Sequence, residues 1–326
     1  MEEILIPKKK KWMEKISSPH ARLLIAILLL IFIFLLSLIT PPRNFSSGII
    51  ITIEEGETIK GVGKLLKQNN VIRSASMFST FVVLSGGHVV EGDYLFTHPH
   101  GLFNVSSRVT SGNYEIPTER IVFFEGMTVT EMAVRLKNAF PNFNVNEFLE
   151  LGLPQEGYLF PDTYELRQNT SPEIVVNTMR ENFNIHIAEI QEELAESEYS
   201  MEEIITMASI IEKEATRDTM QAVSNVLWRR INIGQALQVD APFVYYKDKG
   251  SFDLTLDDLR EDHPYNTYTN RGLTPTPISN PGLKSIRAAA FPQKTSYLYF
   301  LTGRDGNMYF ATTFDGHKHN KTLYLD

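Results

Sequence analysis

Two glutamates near the end of one apolar helical pattern have the chemistry and spacing of candidate acid–base residues. Ile204, Ala208 and Ile211 recur at helical spacing, which predicts a helix with one face packed against a core. At about 100° per residue, Glu212 and Glu214 lie at opposite edges of that face. A carboxyl at a core edge is partly desolvated, which raises its pKa and suits a general acid. The spacing leaves open which glutamate has that role and whether both are simply solvated.

An apolar segment precedes this region by a long distance. The stretch from Leu23 to Ile39 is apolar apart from Ser37 and is close to the minimum length for crossing a bilayer core of about 30 Å. We therefore predict a transmembrane helix over residues 23–40. A cleaved signal peptide is the alternative, but Thr40 to Arg43 contains no small-x-small cleavage site.

The charge distribution predicts the orientation of this helix. Residues 1–22 contain six Lys or Arg against three Glu, so the positive-inside rule places this tail in the cytoplasm and the rest of the chain outside. The whole chain carries −8, and the external part is therefore acidic, which argues against nucleic acid as a partner. The chain has no cysteine, so neither disulfides nor thiolate chemistry are available.

The external part is predicted to be α+β, with a small unit followed by a larger one. In the first, strands are expected at Gly48–Ile53, Tyr94–Phe96 and Asn104–Val109, and helices at Ile59–Asn69 and Ala75–Leu84. This unit has no titratable cluster, and its plain interpretation is a spacer or binding module.

The larger unit begins near Arg120. A strand is predicted at Ile121–Phe124, and Thr128 with Glu131 forms a capping-box pattern that opens a helix to Ala139. Further helices are predicted at 172–197, 201–216 and 219–233, and strands at 296–302 and 307–313. Loop and aromatic residues concentrate between Gly234 and 296, where sites are often built. No internal repeat is evident.

Five segments resemble, in order, those of the endolytic murein transglycosylases of the MltG (YceG-like) family: Glu156–Tyr164, Ala208–Glu214, Leu237–Asp240, Tyr265–Tyr268 and His319–Lys321. The resemblance covers nearly the whole external part. It implies a LysM-like glycan-binding module at 48–116, matched through Glu55-Gly56 and Gly92-Asp93-Tyr94, and a catalytic domain at 118–326.

The resemblance also implies that Glu214 is the catalytic acid and base, with no cofactor or metal. Such an enzyme cleaves the β-1,4 bond between MurNAc and GlcNAc within peptidoglycan strands, using the sugar's own C6 hydroxyl and leaving a 1,6-anhydroMurNAc end. The expected substrate-binding residues are Tyr158, Gln238, Asp240, Tyr265, Asn266, Tyr268 and Asn320. Gln238, Asn266 and Tyr268 would form hydrogen bonds to the sugar or its acyl groups. Tyr158 or Tyr265 would stack on the sugar or pack in the core. Asp240 would stabilise the site or cap a turn.

The chain departs from the family pattern in one loop. Where the family commonly has Leu-Pro-Pro-Gly before Pro-Ile, this chain has Leu273-Thr274-Pro275-Thr276 before Pro277-Ile278. The glycine of that loop is missing, which puts the loop's substrate contacts in question.

Three rival functions remain open. A muramidase-type hydrolase would need a second carboxylate, for which Asp240 or Glu212 are candidates. A metal hydrolase would use His317 and His319, although this pair lacks the usual ligand pattern. A membrane-anchored glycan-binding scaffold would need no catalysis. The resemblance further implies work beside the peptidoglycan synthases of elongation or division, trimming or terminating nascent strands in a bacterial cell membrane.

Overall fold

The structure, a computed structural model, describes residues 19–250 and 253–325. The predicted cytoplasmic tail therefore lies outside the described residues as far as residue 18. The chain divides into two compact units between Pro117 and Thr118. The described ranges are mixed helix and sheet, with three two-stranded antiparallel sheets, which agrees with the expected α+β composition.

The apolar N-terminal segment forms helix α1, Pro19–Ile39. It begins earlier than the predicted Leu23, and none of its residues is buried. Within the described ranges it is the one helix that is long and apolar enough to cross a membrane. An uncovered helix of this composition is stable in a hydrocarbon environment, which is consistent with a single-pass anchor.

The first unit continues with two strands that enclose two helices. Strand β1 (Ile49–Ile53) pairs antiparallel with β2 (Gly92–Phe96), and the chain between them forms α2 (Ile59–Gln68) and α3 (Ala75–Leu84). The two helices and the inner sheet face share one apolar core.

One prediction for this unit is wrong. Asn104–Val109 was expected to be a strand, but it lies in helix α4, Leu102–Ser111. The buried residues Leu102, Val105 and Val109 are spaced by three and four, which is the period of one helical face. The β-branched valines favoured a strand locally, and packing of that face against the core overrides this preference.

The second unit opens with the same order of elements. Strand β3 (Thr118–Val122) pairs antiparallel with β4 (Thr163–Arg167), around helices α5 (Val129–Ala139) and α6 (Val145–Gly152). The predicted capping box at Thr128 and Glu131 is confirmed. Strand β3 ends at Val122, short of the predicted Phe124.

The remaining helices build the main core of the second unit. The predicted helix 172–197 is interrupted at Ile190, giving α7 (Pro172–Glu189) and α8 (Gln191–Leu194). Next come α9 (Met201–Glu214) and α10 (Met220–Asn232). Every residue from Ile204 to Ile211 in α9 is buried, so the middle of this helix is enclosed on all sides rather than along one face.

The last third contains more helix than its sequence indicated. Helices α11 (Ala241–Lys247) and α12 (Leu283–Ala290) lie in the region predicted as loops, and α13 (Phe314–Tyr324) follows the final hairpin. That hairpin pairs β5 (Tyr299–Thr302) with β6 (Met308–Ala311), both shorter than predicted. Helix α12 packs against α9 and α10 and so fixes the enclosed helix.

Candidate active site

Glu214 is the last residue of α9 and points to the start of α11. The helix begins with a capping box formed by Ser200 and Glu203 and ends as Ala215 turns to an extended conformation. The Ala241 amide donates a hydrogen bond to Glu214 Oε1 at 3.0 Å. The enclosed helix therefore carries its carboxyl to a defined position between two elements.

The surroundings of Glu214 favour its protonated form. Burial raises its pKa to about 7, and the nearby Asp240 charge acts in the same direction. The amides of Ala241 and Asp240 and the charge of Arg230 oppose this rise. The C-terminal end of a helix also disfavours a negative charge. Glu214 thus holds a proton close to neutral pH while its side chain remains partly accessible.

Glu214 lies where two cavities adjoin. The larger, of about 650 Å³, extends towards the final hairpin and α13, and the smaller, of about 350 Å³, extends towards α11. Glu214, Asp240 and Thr302 line both. We call the two cavities together the cleft; its remaining walls include Arg230, Gln238, Tyr268, Tyr299, His317 and Lys321 on the larger side and Lys213, Val244 and Gly250 on the smaller side.

Four of the predicted site residues meet in the cleft: Glu214, Gln238, Asp240 and Tyr268. The Tyr268 hydroxyl donates to Asp240 Oδ1 at 2.6 Å. Burial raises the pKa of Tyr268, as does the hydrogen bond to Asp240, so the hydroxyl keeps its proton. Gln238 has φ of +51°, a conformation that non-glycine residues rarely adopt and that often marks a functional position.

Arg230 is a cleft residue that sequence reasoning missed. Its guanidinium is buried, donates to the carbonyls of Leu298 at 2.8 Å and of Leu237, and lies 5.4 Å from the Tyr299 ring centre. Burial lowers its pKa, and the Glu214 charge is among the influences that raise it. The available signal was a basic residue on the apolar face of a predicted helix.

Glu212, the other acid of the pair, has a structural position. Its Oε2 accepts hydrogen bonds from the Gly282 amide at 3.0 Å and the Ser285 hydroxyl at 2.5 Å. These donors lie at the start of α12, so the carboxylate satisfies the Gly282 amide, a group that a helix start otherwise leaves unpaired.

Two predicted aromatic residues do not line the cleft. The Tyr158 ring packs edge-on against Phe183 at 5.2 Å and lies under Arg180 at 4.6 Å. The Tyr265 ring lies 5.4 Å from that of Tyr245. Both are partly buried against the main core, which corresponds to the packing interpretation that the sequence had left open.

Two predicted amide residues are also engaged elsewhere. Asn266 is fully buried, and its side chain donates to the carbonyls of Glu261 at 2.8 Å and Asp258 at 3.2 Å. Asn320 on α13 donates to the Phe310 carbonyl at 3.2 Å. Both side chains fix local backbone, and Asn266 shapes the loop that carries Tyr268 by accepting the Tyr268 amide at 2.9 Å.

The loop that departs from the family pattern does not need its glycine. Thr276 is not among the described residues with positive φ. Its hydroxyl lies 2.7 Å from that of Tyr265, and the Thr274 hydroxyl donates to the Thr276 carbonyl at 2.9 Å. A side chain at this position is therefore compatible with the backbone and adds a contact.

The His317 ring stacks on Tyr299 with centres 5.4 Å apart. Burial lowers the pKa of His317, as do the charges of Lys321 and Arg230. Across residues 19–250 and 253–325, no group of three or more His, Asp or Glu side chains is placed to share a metal ion.

The described residues form an α+β protein with an apolar N-terminal helix and a cleft lined by two carboxyls, Glu214 and Asp240. The chain belongs to the YceG-like family, whose model matches residues 51–322. It is 31% identical over 324 residues to a Bacillus subtilis protein named endolytic murein transglycosylase, covering 90% of each chain. A Streptococcus pneumoniae protein of the same name is 28% identical over 178 residues, which are 52% of this chain and 32% of that one.

A solved structure of a YceG-like protein is also similar to this chain. The crystal structure of a YceG-like protein from Listeria monocytogenes superposes with a TM-score of 0.58 at 29% identity, over 84% of this chain and 99% of that chain.

Proposed function

We propose that this protein is an endolytic murein transglycosylase that cleaves the β-1,4 bond between MurNAc and GlcNAc inside peptidoglycan strands. The observation that carries the proposal is Glu214, a carboxyl with its pKa raised to about 7 at the junction of two cavities. The named relatives support the same activity. A glycan that continues through both cavities would be cut within its length rather than at an end.

The reaction needs one proton donor that later accepts a proton. Glu214 protonates the glycosidic oxygen as the bond from that oxygen to C1 of MurNAc breaks. The C6 hydroxyl of the same sugar then forms a bond to C1 and returns its proton to Glu214. The nucleophile is intramolecular and has a high effective concentration, so no activated water is needed. The product is a 1,6-anhydroMurNAc end, and the carboxyl is restored.

The other cleft residues would bind and orient the sugar. The Gln238 amide can donate to and accept from hydroxyl or acetamido groups, and its strained backbone fixes its direction. Asp240 holds the Tyr268 hydroxyl and helps to keep Glu214 protonated. Arg230 supplies positive charge next to Glu214 when the carboxyl is ionised between the two proton transfers.

A hydrolase of the muramidase type is the second candidate. It requires a carboxylate on the opposite sugar face. Glu212 is occupied by two donors of α12, whereas Asp240 lines the cleft beside Glu214, so Asp240 is the residue that would serve. Hydrolysis leaves a reducing end and transglycosylation does not, so the product distinguishes the two.

The two units would have different functions, glycan binding and catalysis. The βααβ order of the first unit supports a LysM-like glycan-binding module at residues 48–116, and the cleft lies in the unit that we assign to catalysis, residues 118–326. Helix α1 would anchor the chain with its N-terminus in the cytoplasm and its two units outside. In that position the enzyme would trim or terminate nascent strands beside the peptidoglycan synthases.

The test is mass analysis of products from the full-length protein acting on polymeric, uncrosslinked glycan strands. Glu214→Gln should remain folded and yield no anhydro ends, because an amide cannot donate an acidic proton. Glu212→Gln is the matched control on the same helix and should retain cleavage. Reducing ends from the wild type would favour the hydrolase, and no cleavage by a folded wild type would favour a glycan-binding scaffold.

A further inference from the structure

The first five elements after the anchor recur 70 residues further along the chain. The order β1, α2, α3, β2, α4 is repeated as β3, α5, α6, β4, α7. Each of the three helices begins 70 residues after its counterpart, and so does each N-cap: Thr58 and Thr128, Ser74 and Asn144, Gly101 and Ser171. Three independent caps at one offset indicate one module present twice, at 49–111 and 119–181.

Side-chain contacts repeat as well. The Tyr94 hydroxyl donates to the Val90 carbonyl at 2.8 Å, and the Tyr164 hydroxyl donates to the Phe160 carbonyl at 2.7 Å. The two strand pairs also share one antiparallel register when the offset is applied to both strands. This finding differs from the expectation that the chain has no repeat.

The two copies differ in what their first turn contacts. Gly56 has φ of +77° with open space around the position of a Cβ, and its neighbours are exposed. Gly126, its counterpart, has φ of +80°, but a Cβ there would lie 3.3 Å from Glu212 Cγ and 3.7 Å from Lys213 Cδ. The turn of the second copy is therefore packed against the final turn of α9.

The buried side chain of Asn280 joins the second copy of the module to residues 278–282. Asn280 is fully buried, and its Oδ1 accepts from the amides of Gly157 at 3.0 Å and Leu159 at 2.9 Å. Its Nδ2 donates to the Met127 carbonyl at 3.0 Å and to Glu156 Oε1 at 2.8 Å. Asn280 thus fills the space between two loops of the module with all its polar atoms paired.

The residues beside Asn280 hold α9 directly. The Ile278 amide donates to the Ser209 hydroxyl at 3.0 Å, and the Ser279 hydroxyl donates to the Ser209 carbonyl at 3.0 Å. The Gly282 amide binds Glu212 at 3.0 Å. A short segment therefore connects the second copy of the module to the helix that ends in Glu214.

We propose that the second copy of the module is a clamp that fixes the end of α9, and that Asn280 is the positioning residue through which it acts. This inference rests on the proposed role of Glu214. A catalytic carboxyl must be held to a fraction of an ångström, and the clamp holds the helix from the turn at Gly126 and from the segment around Asn280. The equivalent surface of the first copy remains exposed at its turn.

The hydrogen bond from Asn280 to Glu156 can be reversed by substitution, and this tests the clamp. Asn280→Asp places a second carboxyl against Glu156, whose pKa burial already raises to about 7, and removes the donor to the Met127 carbonyl. In the full-length chain we therefore expect kcat to fall about tenfold or more, with KM changed less than about twofold. Combining it with Glu156→Gln places an amide donor opposite the new carboxylate, and kcat should recover in part. A loss that the second change does not reverse would contradict the pairing.

The two turn glycines provide a matched control pair that does not depend on Asn280. Gly126→Ala and Gly56→Ala both place a side chain at a left-handed φ, and only Gly126→Ala also brings a Cβ against α9. Gly126→Ala alone should lower kcat, because its Cβ would lie 3.3 Å from Glu212 Cγ and press on the final turn of α9, which carries Glu214. It should also increase hydrogen exchange of the amides at 209–215, whereas Gly56→Ala should change neither.

Equal kcat and equal exchange in the two glycine variants would overturn the clamp, whether or not Asn280→Asp folds. A wild-type protein that does not cleave glycan at all would instead refute the proposed function. In that case the exchange measurement still decides whether the second copy holds α9.

Discussion

Glu212 and Glu214 are separated by one lysine, yet their environments differ completely. Glu212 binds two donors at the start of α12, whereas Glu214 faces the cleft and accepts one amide from α11. Helical spacing predicted that both lie at core edges, but it could not separate them because their partners are distant in sequence. The same reason explains why Arg230 was missed and why the packing of Tyr158 stayed open.

The pH dependence of kcat should report on Glu214. In the proposed mechanism the acid form makes the first proton transfer, and burial raises the pKa of Glu214 to about 7. We therefore expect kcat to fall about tenfold per pH unit above that value. Steady-state rates on soluble strands between pH 5.5 and 9 would measure it. A rate that stays level to pH 9 would show that the proton donor is another group.

Glu214 should also make the protein less stable as pH rises. Its pKa is raised from about 4.5 to about 7 on folding, so stability is greatest below the lower value and declines until the upper one is passed. Glu214→Gln should therefore increase the free energy of unfolding at pH 8 by roughly 3 kcal/mol.

Urea unfolding at pH 5 and pH 8 would measure this difference. Glu202→Gln, an exposed change on the same helix, is the control and should have little effect at either pH. An unchanged free energy of unfolding for Glu214→Gln at pH 8 would mean that the carboxyl is solvated in the folded state.

Helices and strands that depend on neighbouring residues were predictable from the sequence, whereas those that depend on tertiary contacts were not. The capping box at Thr128 depends on neighbouring residues and was identified from sequence. Helices α11 and α12 were missed because their stability comes from packing and from caps supplied at a distance, as Glu212 does for α12. The repeated module was missed because few aligned residues are identical, and the shared offset is visible when caps and strand pairs are compared.

Loss of the Glu212 cap should destabilise α12 without stopping the chemistry. Ser285→Ala removes the 2.5 Å hydrogen bond to Glu212 and should lower the free energy of unfolding by about 1 kcal/mol. We expect kcat to stay within a few-fold of wild type. Thermal melts compared with Ser76→Ala, an exposed change in α3, would measure the effect. A Tm equal to that of the control would show that the Gly282 amide alone suffices.

The whole molecule combines an apolar helix with two units that have separate cores. The apolar helix was predictable because hydropathy is a property of a long stretch of sequence. The wall of the cleft that the final hairpin and α13 form could not be predicted. Its residues follow Glu214 by about a quarter of the chain, and sequence alone does not show that they lie beside it.

Removing residues 1–40 should separate location from chemistry. The truncated protein keeps Pro41, whose carbonyl accepts from Arg73 at 2.9 Å, and should be soluble without detergent because the exposed apolar helix is gone. We expect its kcat on soluble strands to match that of the full-length protein. Its failure to replace the anchored form in cells would show that location matters, whereas a large loss of kcat in vitro would assign α1 a role in the site.

The short connection between α1 and β1 limits how far the first module can lie from the end of α1. From Ile39 to Ile49 the chain can extend at most about 35 Å, and the Arg73 contact with Pro41 holds the beginning of that connection against the first unit. If α1 lies in the membrane, the first module stays within the layer of wall next to the bilayer. Glycan that lies further from the bilayer than this short connection allows would be out of reach of the first module.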